Sequence, residues 1–579
     1  MRRSFGALED EVFDLLVIGG GIFGACAAWD ATLRGLSVAL VEREDFCSGA
    51  SANSFKVVHG GIRYLQHLDL VRLRGSSHER AAWLRIAPHL VSPLPIVIPT
   101  YGHGREGKLV LRAGMLVYDL CTFDRNRGLR DGRQRVPWSG FLSAADVERL
   151  FPGVRSDRLT GGAVFYDGQM YNPTRLALAF VRGAVDRGAL AVNYAEVTRL
   201  IRSADAVVGA EVRDQTTGEV AEVRARAVLN AGGPWVPWLN EPSGLAGGRD
   251  GTFSRDACFL VRRRFPHPYG IAVQGSTRDP DAVLSRSARH LFLLPWRQYT
   301  LCGVWHVVWK TRPDTVQVPV ADLDRFIEEM NGAFPGLALG RDDVTLWNAG
   351  LVPFGENEPG AENLSYGHRS HVVDHRATDG VSNLVSLIGI RYTMARGDAA
   401  KAVDLICAKL GKTGGRAATD RTPVDGGDFD RFDELLEQIA AAAPPLDRDV
   451  VEALAHNHGA KHTRVLSLLR EAPEWGERLG DSTTLKAEVV NAIREEMAVR
   501  LADVVFRRTD LATGGHPGEA ALAEAAALTA RELSWDDARQ AAELAAVEQR
   551  LRPFSASAAH AAPARETATR TLAEGISRA

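Results

Sequence analysis

The sequence predicts an α/β fold in which a Rossmann-type parallel unit carries an antiparallel-sheet domain and is followed by a helical domain. A strand–helix–strand pattern fills residues 13–41, alternating apolar and polar runs follow between residues 196 and 350, and the composition becomes rich in Ala, Leu and Glu beyond residue 425. At 579 residues the chain is long enough for two or three hydrophobic cores.

The N-terminal unit begins with an apolar strand. Residues 13–18 are apolar apart from one acid, which is typical of a buried parallel strand. Glycines follow, then small residues that predict a helix over 22–33, a turn at Arg34-Gly35 and a second strand over 36–41. A strand, a helix and a second strand within about thirty residues form the compact unit of a doubly wound sheet.

The turn after the first strand carries the glycine pattern Gly19-Gly20-Gly21-Ile22-Phe23-Gly24. Gly19 permits a tight turn, Gly21 lets the backbone approach a pyrophosphate, and Gly24 lets the helix pack closely on the strand. The helix N-terminus adds free N–H groups and the positive end of its dipole. Glu42 ends the second strand, where a carboxylate accepts ribose hydroxyls and repels a 2′-phosphate. The pattern therefore predicts a dinucleotide site.

The remainder of the first domain favours FAD over NAD, because an NAD enzyme usually continues in regular β–α alternation. The predicted elements are an antiparallel meander (196–201, 207–212 and 220–225), a strand over 227–231 that runs into Gly232, a second sheet between about 254 and 350, and a late strand over 381–388 that ends at Gly389. The glycine after the late strand lets a loop approach the ring end of the cofactor.

The C-terminal region predicts helices. Beyond Gly426-Gly427, apolar residues such as Val489, Ile493, Met497 and Leu501 follow helical spacing. The last stretch is rich in Ala, Ser and Thr, a composition that favours disorder. The expected domains are an FAD-dependent oxidoreductase domain with interleaved cofactor and substrate parts (1–425), a helical domain (426–552) and a disordered tail (553–579).

Composition and charge exclude several classes of function. A net charge of −3 argues against a nucleic acid partner. The six cysteines are far apart with no C-x-x-C pair, which argues against a zinc site and a dense disulfide framework and suits a reducing compartment. The N-terminus lacks the apolar segment of a signal peptide, and no stretch reaches the roughly 18–20 apolar residues of a membrane span. We therefore expect a cytoplasmic protein without a bound metal.

The densest group of reactive side chains is the segment 51–65, SANSFKVVHGGIRYL, which contains His59 and Arg63. Oxidising an alcohol requires a base for the hydroxyl proton while a hydride leaves the carbon. A histidine titrates near neutrality, and the guanidinium fork suits a phosphate or a carboxylate. We therefore predict that His59 is the base and that Arg63 binds an anionic substrate.

These motifs resemble those of FAD-dependent glycerol-3-phosphate dehydrogenases and oxidases. The resemblance rests on the glycine-rich start and on segments 59–65 (HGGIRYL), 87–89 (APH), 230–235 (NAGGPW) and 503–509 (DVVFRRT). It covers roughly residues 12–550 and implies a D-amino-acid-oxidase-like fold, bound FAD and a C-terminal helical cap domain. It further implies that the histidine at position 59 lies by the flavin and that the arginine at position 63 helps to hold the substrate phosphate.

The chain departs from this family at three places, all at the predicted substrate end. The family's Gly-Gly-Lys-x-Thr-Thr-Tyr-Arg reads GIRYTMAR here and keeps a cation at Arg391. Its Ala-Gly-Val-Arg-Pro reads AGLVP, so Val352 replaces an arginine that contacts the substrate. Its Gly-Thr-Thr-Asp reads GVWH, which brings in Trp305 and His306. Losing one phosphate-binding cation costs on the order of 1.5–3 kcal/mol of charge-assisted binding.

The predicted site comprises catalytic or substrate-binding residues and cofactor-binding residues. The first set is His59, Arg63 and Arg391, and the second is Gly19, Gly21, Gly24, Glu42, Ser51, Ser54, Val197, Gly232, Gly389 and Thr393. Other polar residues receive less specific roles. Lys56 is expected to be solvated or to adjoin FAD. His306 is interpreted as a surface imidazole in preference to a new substrate contact. The polar segment 166–173 is interpreted as a helix cap through Asn172 and Pro173 in preference to a lining of the pocket. Trp235 and Trp238 are expected in the core or on a shelf beside FAD.

Three interpretations of function stay open at this point. The first is a dehydrogenase of the glycerol-3-phosphate type that passes electrons to quinone or oxygen. The second keeps the fold but oxidises a 2-hydroxy acid, an amino acid or a natural-product intermediate, since a carboxylate needs fewer cations than a phosphate. The third is a non-catalytic flavoprotein. A peripheral contact with the inner face of the cell membrane and assembly as a homodimer are also left open.

Overall fold

The architecture is that of a computed structural model. It describes residues 1–66, 68–102, 107–243, 245, 253–278, 288–309, 312–353, 370–412, 415–442 and 445–551. The predicted tail over 553–579 therefore lies outside the described residues.

Strands and helices alternate through the first part of the chain, and helices alone follow. The strands are β1 (Val12–Ile18), β2 (Val38–Val41), β3 (Val57–Val58), β4 (Val91–Tyr101), β5 (Gly140–Leu142), β6 (Leu159–Met170), β7 (Leu190–Val192), β8 (Ala195–Ser203), β9 (Ala206–Asp214), β10 (Val220–Asn230), β11 (Phe253–Val261), β12 (Gly270–Arg278), β13 (Ala288–Trp296), β14 (Tyr299–Trp309), β15 (Val344–Pro353), β16 (His371–Asp374) and β17 (Leu384–Ile388). The helices are α1 (Ile22–Leu33), α2 (Arg63–Gln66), α3 (Leu70–Ile86), α4 (Lys108–Cys121), α5 (Ala144–Leu150), α6 (Pro173–Val185), α7 (Val236–Asn240), α8 (Val320–Ala333), α9 (His375–Asp379), α10 (Ala395–Lys409), α11 (Phe432–Ala442), α12 (Arg448–His458), α13 (Thr463–Leu466), α14 (Lys486–Glu496), α15 (Leu501–Asp503), α16 (Glu519–Leu533) and α17 (Asp537–Leu551), with a π-helical turn at Val504–Arg508.

The first sheet confirms the predicted parallel unit. Its order in the described residues is β16-β17-β10-β1-β2-β7, with β17, β10, β1, β2 and β7 parallel and β16 antiparallel at the edge. The register pairs Ile18 with Val41 and with Asn230. The carboxyl ends of the three central strands therefore stop at one edge, where ligands bind in open α/β sheets.

The strand β10 corrects one prediction. The runs 220–225 and 227–231 were expected to be two strands, but Val220–Asn230 is continuous. Residues 220–224 pair antiparallel with β9, residues 224–230 pair parallel with β1, and residues 228–230 also pair parallel with β17. One strand thus belongs to both the meander and the parallel sheet. The gap between the two predicted runs, at Arg226, lies where the strand exchanges one neighbouring strand for another, and the backbone continues through it without a break.

Two different layers cover the first sheet. On one face α1, α6 and α10 pack around Trp29, Phe180 and Val403, which are fully buried. On the other face the meander β8–β9–β10 buries Leu16 and Val207. The sheet is apolar on both faces, which explains its short, continuous apolar strands.

The second sheet extends well beyond the predicted region. Its order in the described residues is β15-β11-β14-β13-β12-β4-β6-β3, with β5 on β6. Strands β3 to β6 come from residues 57–170, where no sheet was predicted. Strand β4 contains Pro93, Pro95 and Pro99, and prolines argue against a strand in a sequence pattern because they cannot donate to the ladder. It nevertheless pairs along its length with β6 and only at Ile96 and Val97 with β12.

The C-terminal region is helical, as predicted, and its first helix, α11, starts at Phe432. Helix α14 contributes Val489 to one apolar cluster and Val490 to another. The periodic run from residue 489 to 501 is broken, because Met497 has φ +56 and ends the helix in the left-handed region. The expected boundary at residue 425 falls outside helices and strands, and it stays a prediction.

Candidate active site

A cavity of about 1330 Å³ lies between the carboxyl edge of the first sheet and one face of the second. It is larger than the roughly 300–1,000 Å³ of most small-molecule sites, so it has room for a dinucleotide and a substrate. The residues predicted for the site that line it are His59, Arg63, Arg391, Gly19, Gly21, Glu42, Ser51, Ser54, Val197, Gly232, Gly389 and Thr393. The structure thus brings together distant parts of the sequence.

Gly24 is the predicted site residue that lies behind the cavity wall. A Cβ atom at Gly24 would collide with the carbonyl oxygen of Gly19. Gly19 itself has φ +102, and a Cβ atom there would lie 2.8 Å from the carbonyl oxygen of Ala231. Helix α1 therefore starts directly against the strand ends, with its first N–H groups beside the cavity.

Ser51 and Glu42 complete this turn. The Ser51 hydroxyl accepts the Ile22 N–H at 3.0 Å. One oxygen of Glu42 accepts the Gly20 N–H at 2.6 Å, and the other accepts the Glu44 N–H at 2.9 Å. Burial raises the pKa of Glu42 to about 6, although these two donors act in the opposite direction. A carboxylate so placed can accept hydroxyl groups from a ligand in the cavity.

Two tryptophans that were predicted for the core or for a shelf beside FAD, Trp235 and Trp238, belong to the lining of the cavity. The Trp235 indole N–H donates to Asp314 at 2.7 Å, and the Arg43 guanidinium lies 4.7 Å from the Trp235 ring. Arg43 also bonds to Asp314 at 3.0 Å, so a segment from beyond β14 closes over this end. Sequence reasoning missed Arg43 and Asp314, because nothing local marks their pairing.

His59 lies at the opposite end, oriented by an aspartate. Its Nδ1 is 3.0 Å from Oδ2 of Asp167, and its backbone N–H donates to the Thr393 hydroxyl at 2.9 Å. The second oxygen of Asp167 accepts the Gly60 N–H at 2.6 Å. The aspartate side chain is 5% exposed and the imidazole 51%. The aspartate therefore holds one ring nitrogen and leaves the other edge of the ring toward the cavity.

Asp167 is a further residue that sequence reasoning missed. Strand β3 pairs Val58 with Gly168 on β6, and the continuation of this antiparallel register places the next residue, His59, opposite Asp167. The polar segment 166–173 was the available signal and was interpreted as a helix cap. That interpretation holds for Asn172, whose side chain accepts the N–H groups of Thr174 and Arg175.

Three arginines line the same part of the cavity: Arg63, Arg72 and Arg391. The guanidinium groups of Arg391 and Arg72 lie 4.9 Å and 5.0 Å from the centre of the Tyr64 ring. Burial lowers the pKa of Arg391, which nevertheless remains a cation. These charges make a wall suited to an anionic group.

Lys56 departs from its predicted role as a solvated residue or one adjoining FAD. It is 3% exposed, and its ammonium lies 5.0 Å from the centre of the Trp296 ring, behind the cavity. Burial lowers its pKa. The backbone explains the placement, because Lys56 has φ +58 and its carbonyl accepts the Met170 N–H at 2.8 Å.

The second sheet supplies the wall facing the arginines. His306 lines the cavity with Nδ1 2.8 Å from Oδ1 of Asp256 on the neighbouring strand, so its prediction as a surface imidazole is wrong. The cross-strand pairing Asp256–His306 turns the ring inward. Val352 also lines the cavity. Trp305 points away and stacks on Phe326 with ring centres 5.5 Å apart.

Comparison with known proteins finds similar chains. Residues 14–395 match the family described as FAD dependent oxidoreductase, and residues 417–540 match the C-terminal domain of alpha-glycerophosphate oxidase. A glycerol-3-phosphate dehydrogenase of Synechocystis sp. is 32% identical, over 88% of this chain and 91% of its own length. The human mitochondrial glycerol-3-phosphate dehydrogenase is 31% identical, over 92% of this chain and 72% of its own. The solved glycerol-3-phosphate dehydrogenase from Bacillus halodurans, complexed with FAD, superposes with a TM-score of 0.73 at 25% identity, covering 94% of this chain and 96% of that one.

The raised pKa of Glu42 allows a test of whether its carboxylate contributes to FAD binding. Because the ionised carboxylate is the better acceptor for ribose hydroxyls, the affinity of the apoprotein for FAD should fall about tenfold from pH 7.5 to pH 5, as protonation proceeds through a pKa of about 6. Titration of FAD followed by flavin fluorescence measures this. Glu42→Gln should bind more weakly and show no such pH dependence. A flat profile for the unmodified protein contradicts the role of Glu42.

Proposed function

The chain belongs to the family of FAD-dependent oxidoreductases that carry the C-terminal domain of alpha-glycerophosphate oxidase, and from this premise we propose that it oxidises glycerol-3-phosphate, or a closely related anionic alcohol, to the ketone. The protein is an FAD-dependent oxidoreductase. The observation that carries the proposal is the presence in one cavity of a dinucleotide-type turn, an aspartate-held histidine and a group of arginines.

The residues at the first-sheet edge fit FAD. The turn at Gly19 and Gly21 would hold the pyrophosphate, Glu42 the ribose, and the segment from Ser51 to Ser54 with Gly389 would adjoin the flavin. The space for the pyrophosphate exists because the turn has no side chains. A Cβ atom at Gly19 would collide with the backbone of Ala231. When bound, FAD accepts the hydride that leaves the substrate carbon.

His59 is proposed as the base that takes the hydroxyl proton. Its Nδ1 is held by Asp167, so Nε2 is the nitrogen placed to receive the proton. The buried aspartate also stabilises the imidazolium that forms. Thr393, predicted as a cofactor-binding residue, supports the same turn by accepting the His59 N–H.

Arg63 and Arg391 are proposed to bind the anionic end of the substrate. Arg391 is half-buried and packs over Tyr64, which restricts its position. A desolvated guanidinium binds phosphate or carboxylate more strongly than one in bulk water. Arg72 from α3 lines the same wall and is ion-paired with Asp69.

A second candidate substrate is favoured by one specific observation. Val352 lines the cavity at the position where the family resemblance implies a substrate arginine, and His306 lines the same cavity. A carboxylate needs fewer cations than a phosphate. A 2-hydroxy acid is therefore the alternative to glycerol-3-phosphate.

A substrate panel separates the two candidates. Anaerobic mixing of the purified holoenzyme with glycerol-3-phosphate should bleach the flavin band near 450 nm (about the usual flavin maximum). Glycerol, which lacks the anion, should react at least about a hundredfold less efficiently, because it forgoes the charge-assisted contacts. Lactate and glycerate complete the panel. Bleaching by the carboxylates alone refutes the glycerol-3-phosphate assignment and supports the alternative.

Removing the base gives a second prediction. His59→Ala should slow substrate-driven flavin reduction roughly 10²–10⁴-fold, the usual contribution of a general base, without loss of bound FAD. Asp167→Asn should produce a smaller decrease, since it removes the charge and retains the shape. Stopped-flow absorbance measures both rates. His78→Ala, on the exposed side of α3, is the matched control and should react at the normal rate. Unchanged reduction in His59→Ala contradicts its role as base.

The electron acceptor is proposed to be a quinone reached at a membrane surface, with oxygen as the alternative. No helix among the described residues is both long and apolar enough to cross a membrane. Helix α4 lines the cavity with Leu111 and Met115 and exposes apolar side chains outward, beside α3. This apolar surface consists of Leu68, Leu70, Val71, Leu109, Val110, Leu116, Val117, Leu120 and Phe123.

Charge complementarity favours an anionic bilayer as the occupant of this apolar surface. Arg74 and Arg112 are exposed beside it, and Lys108 lies at the start of α4. Apolar side chains flanked by basic residues are typical of proteins that bind at the interface of an anionic membrane. Docking there would place α4, one wall of the cavity, against the lipid that dissolves quinone.

Vesicle binding tests the contact. The holoenzyme should co-sediment with phosphatidylcholine vesicles that contain phosphatidylglycerol and less with vesicles that lack it. The double change Leu116→Glu/Leu120→Glu should weaken binding at least about tenfold, because two exposed leucines no longer enter the interface. Val320→Glu, an exposed apolar residue on α8, should bind normally. Equal binding by both variants contradicts the proposed surface.

A further inference from the structure

The segment that leads from β2 into the cavity, residues 42–55, is fastened at one buried point to the C-terminal helices. We call it the cofactor loop, because Glu42, Ser51 and Ser54 belong to it and line the cavity. Its anchor is Asp45, which is 0% exposed. Arg508 donates to both Asp45 oxygens, at 2.7 Å and 2.6 Å.

A second arginine and two neutral groups complete the contact. Nε of Arg507 donates to Asp45 at 2.6 Å, and Asn193 donates to the other oxygen at 2.9 Å. Arg507 also pairs with Asp503, whose carboxylate accepts the Tyr194 hydroxyl at 2.7 Å. Burial raises the pKa of Asp45, but Arg508 and Arg507 outweigh it and hold the pKa at about 2. The aspartate is therefore ionised at every physiological pH.

The two arginines come from the segment DVVFRRT, whose role the sequence left unassigned. They lie on the π-helical turn Val504–Arg508, and such turns recur at functional sites. In the part of the chain that the structure describes, the residues lining the cavity end at Thr393. The C-terminal helices thus build no wall of the site, and Arg507 and Arg508 are a direct link from them to the cofactor loop.

The anchor is placed to control the dinucleotide end. Asp45 follows Glu42 closely, and the Cys47 N–H donates to the Gly20 carbonyl at 3.0 Å. A shift of Asp45 would therefore move both the ribose-binding carboxylate and the glycine turn. Small displacements of positioning groups weaken ligand contacts strongly.

We propose that Arg507 and Arg508 are positioning residues for FAD: from the C-terminal helices they hold the cofactor loop in its binding conformation and so set the affinity for the cofactor. Stability alone is a weak reason for such a cluster, since a buried ion pair loses in desolvation much of what it gains in attraction. The proposal depends on FAD binding and is independent of the identity of the substrate.

A matched pair of isosteric changes tests it. Asp45→Asn removes the charge that faces Arg507 and Arg508. Glu496→Gln removes a comparably buried charge that faces two arginines, Arg175 at 2.5 Å and Arg182 at 3.2 Å, and that also joins the first part of the chain to the C-terminal helices. The substitution leaves the Glu496 backbone carbonyl, which accepts the Nε–H of Arg508 at 2.9 Å, and changes only a side chain whose two partners lie outside the cofactor loop. Both changes should lower the thermal unfolding temperature. Only Asp45→Asn should raise the Kd for FAD, by at least about tenfold.

The measurement is FAD titration of the full-length apoprotein well below its unfolding temperature, with folding checked by circular dichroism. If Asp45→Asn does not fold, Arg508→Lys and Arg507→Gln, which each leave one arginine on Asp45, provide the same comparison with Glu496→Gln. FAD affinity that is unchanged in the Asp45 or arginine variants overturns the proposal. So does an equal loss of affinity in Glu496→Gln, which would show that FAD binding merely follows stability. Because no substrate is used, failure here is distinct from failure of the proposed oxidation.

Discussion

The close approach of helix α1 to the end of strand β1 is the constraint on which the site depends. The carbonyl of Gly19 occupies the space that a side chain at residue 24 would need, so the helix can begin only because Gly24 has none. This contact brings the first N–H groups of the helix to the edge where β1, β2 and β10 stop in register. Glu42 reaches the same turn through the Gly20 N–H. The proposed phosphate and ribose sites thus depend on one backbone geometry.

The chemistry is placed by the second sheet. Antiparallel pairing of β3 with β6 sets His59 beside Asp167, and pairing of β11 with β14 sets His306 beside Asp256. Each imidazole is held through Nδ1 by a carboxylate on a neighbouring strand. The first sheet therefore offers a cofactor site of a kind common to many enzymes, whereas in the proposed function the second sheet and the arginines of α2, α3 and residue 391 select the substrate.

The arginines around the cavity and those at the interface with the C-terminal helices differ in their surroundings. Around the cavity, arginines remain accessible to an anion, and beyond α4 apolar side chains face outward. Between the first part of the chain and the C-terminal helices, by contrast, arginines are buried against Asp45 and Glu496. A buried cation requires its partner, so this interface tolerates few changes.

Local patterns in the sequence were sufficient to predict those elements and site residues that depend only on neighbouring residues in the chain. The helix predicted over 22–33 is observed at Ile22–Leu33, and the glycine pattern, His59 and Arg63 were recognised from the chemistry of short segments, whereas Arg391 came from the family resemblance. Tertiary structure alone decided which distant groups meet: Asp167 is 108 positions from His59, and Arg508 is 463 from Asp45. It also made a strand of the proline-rich β4 and turned His306 inward. Burial and pairing energies depend on partners that only the folded chain brings together, and no local pattern encodes them.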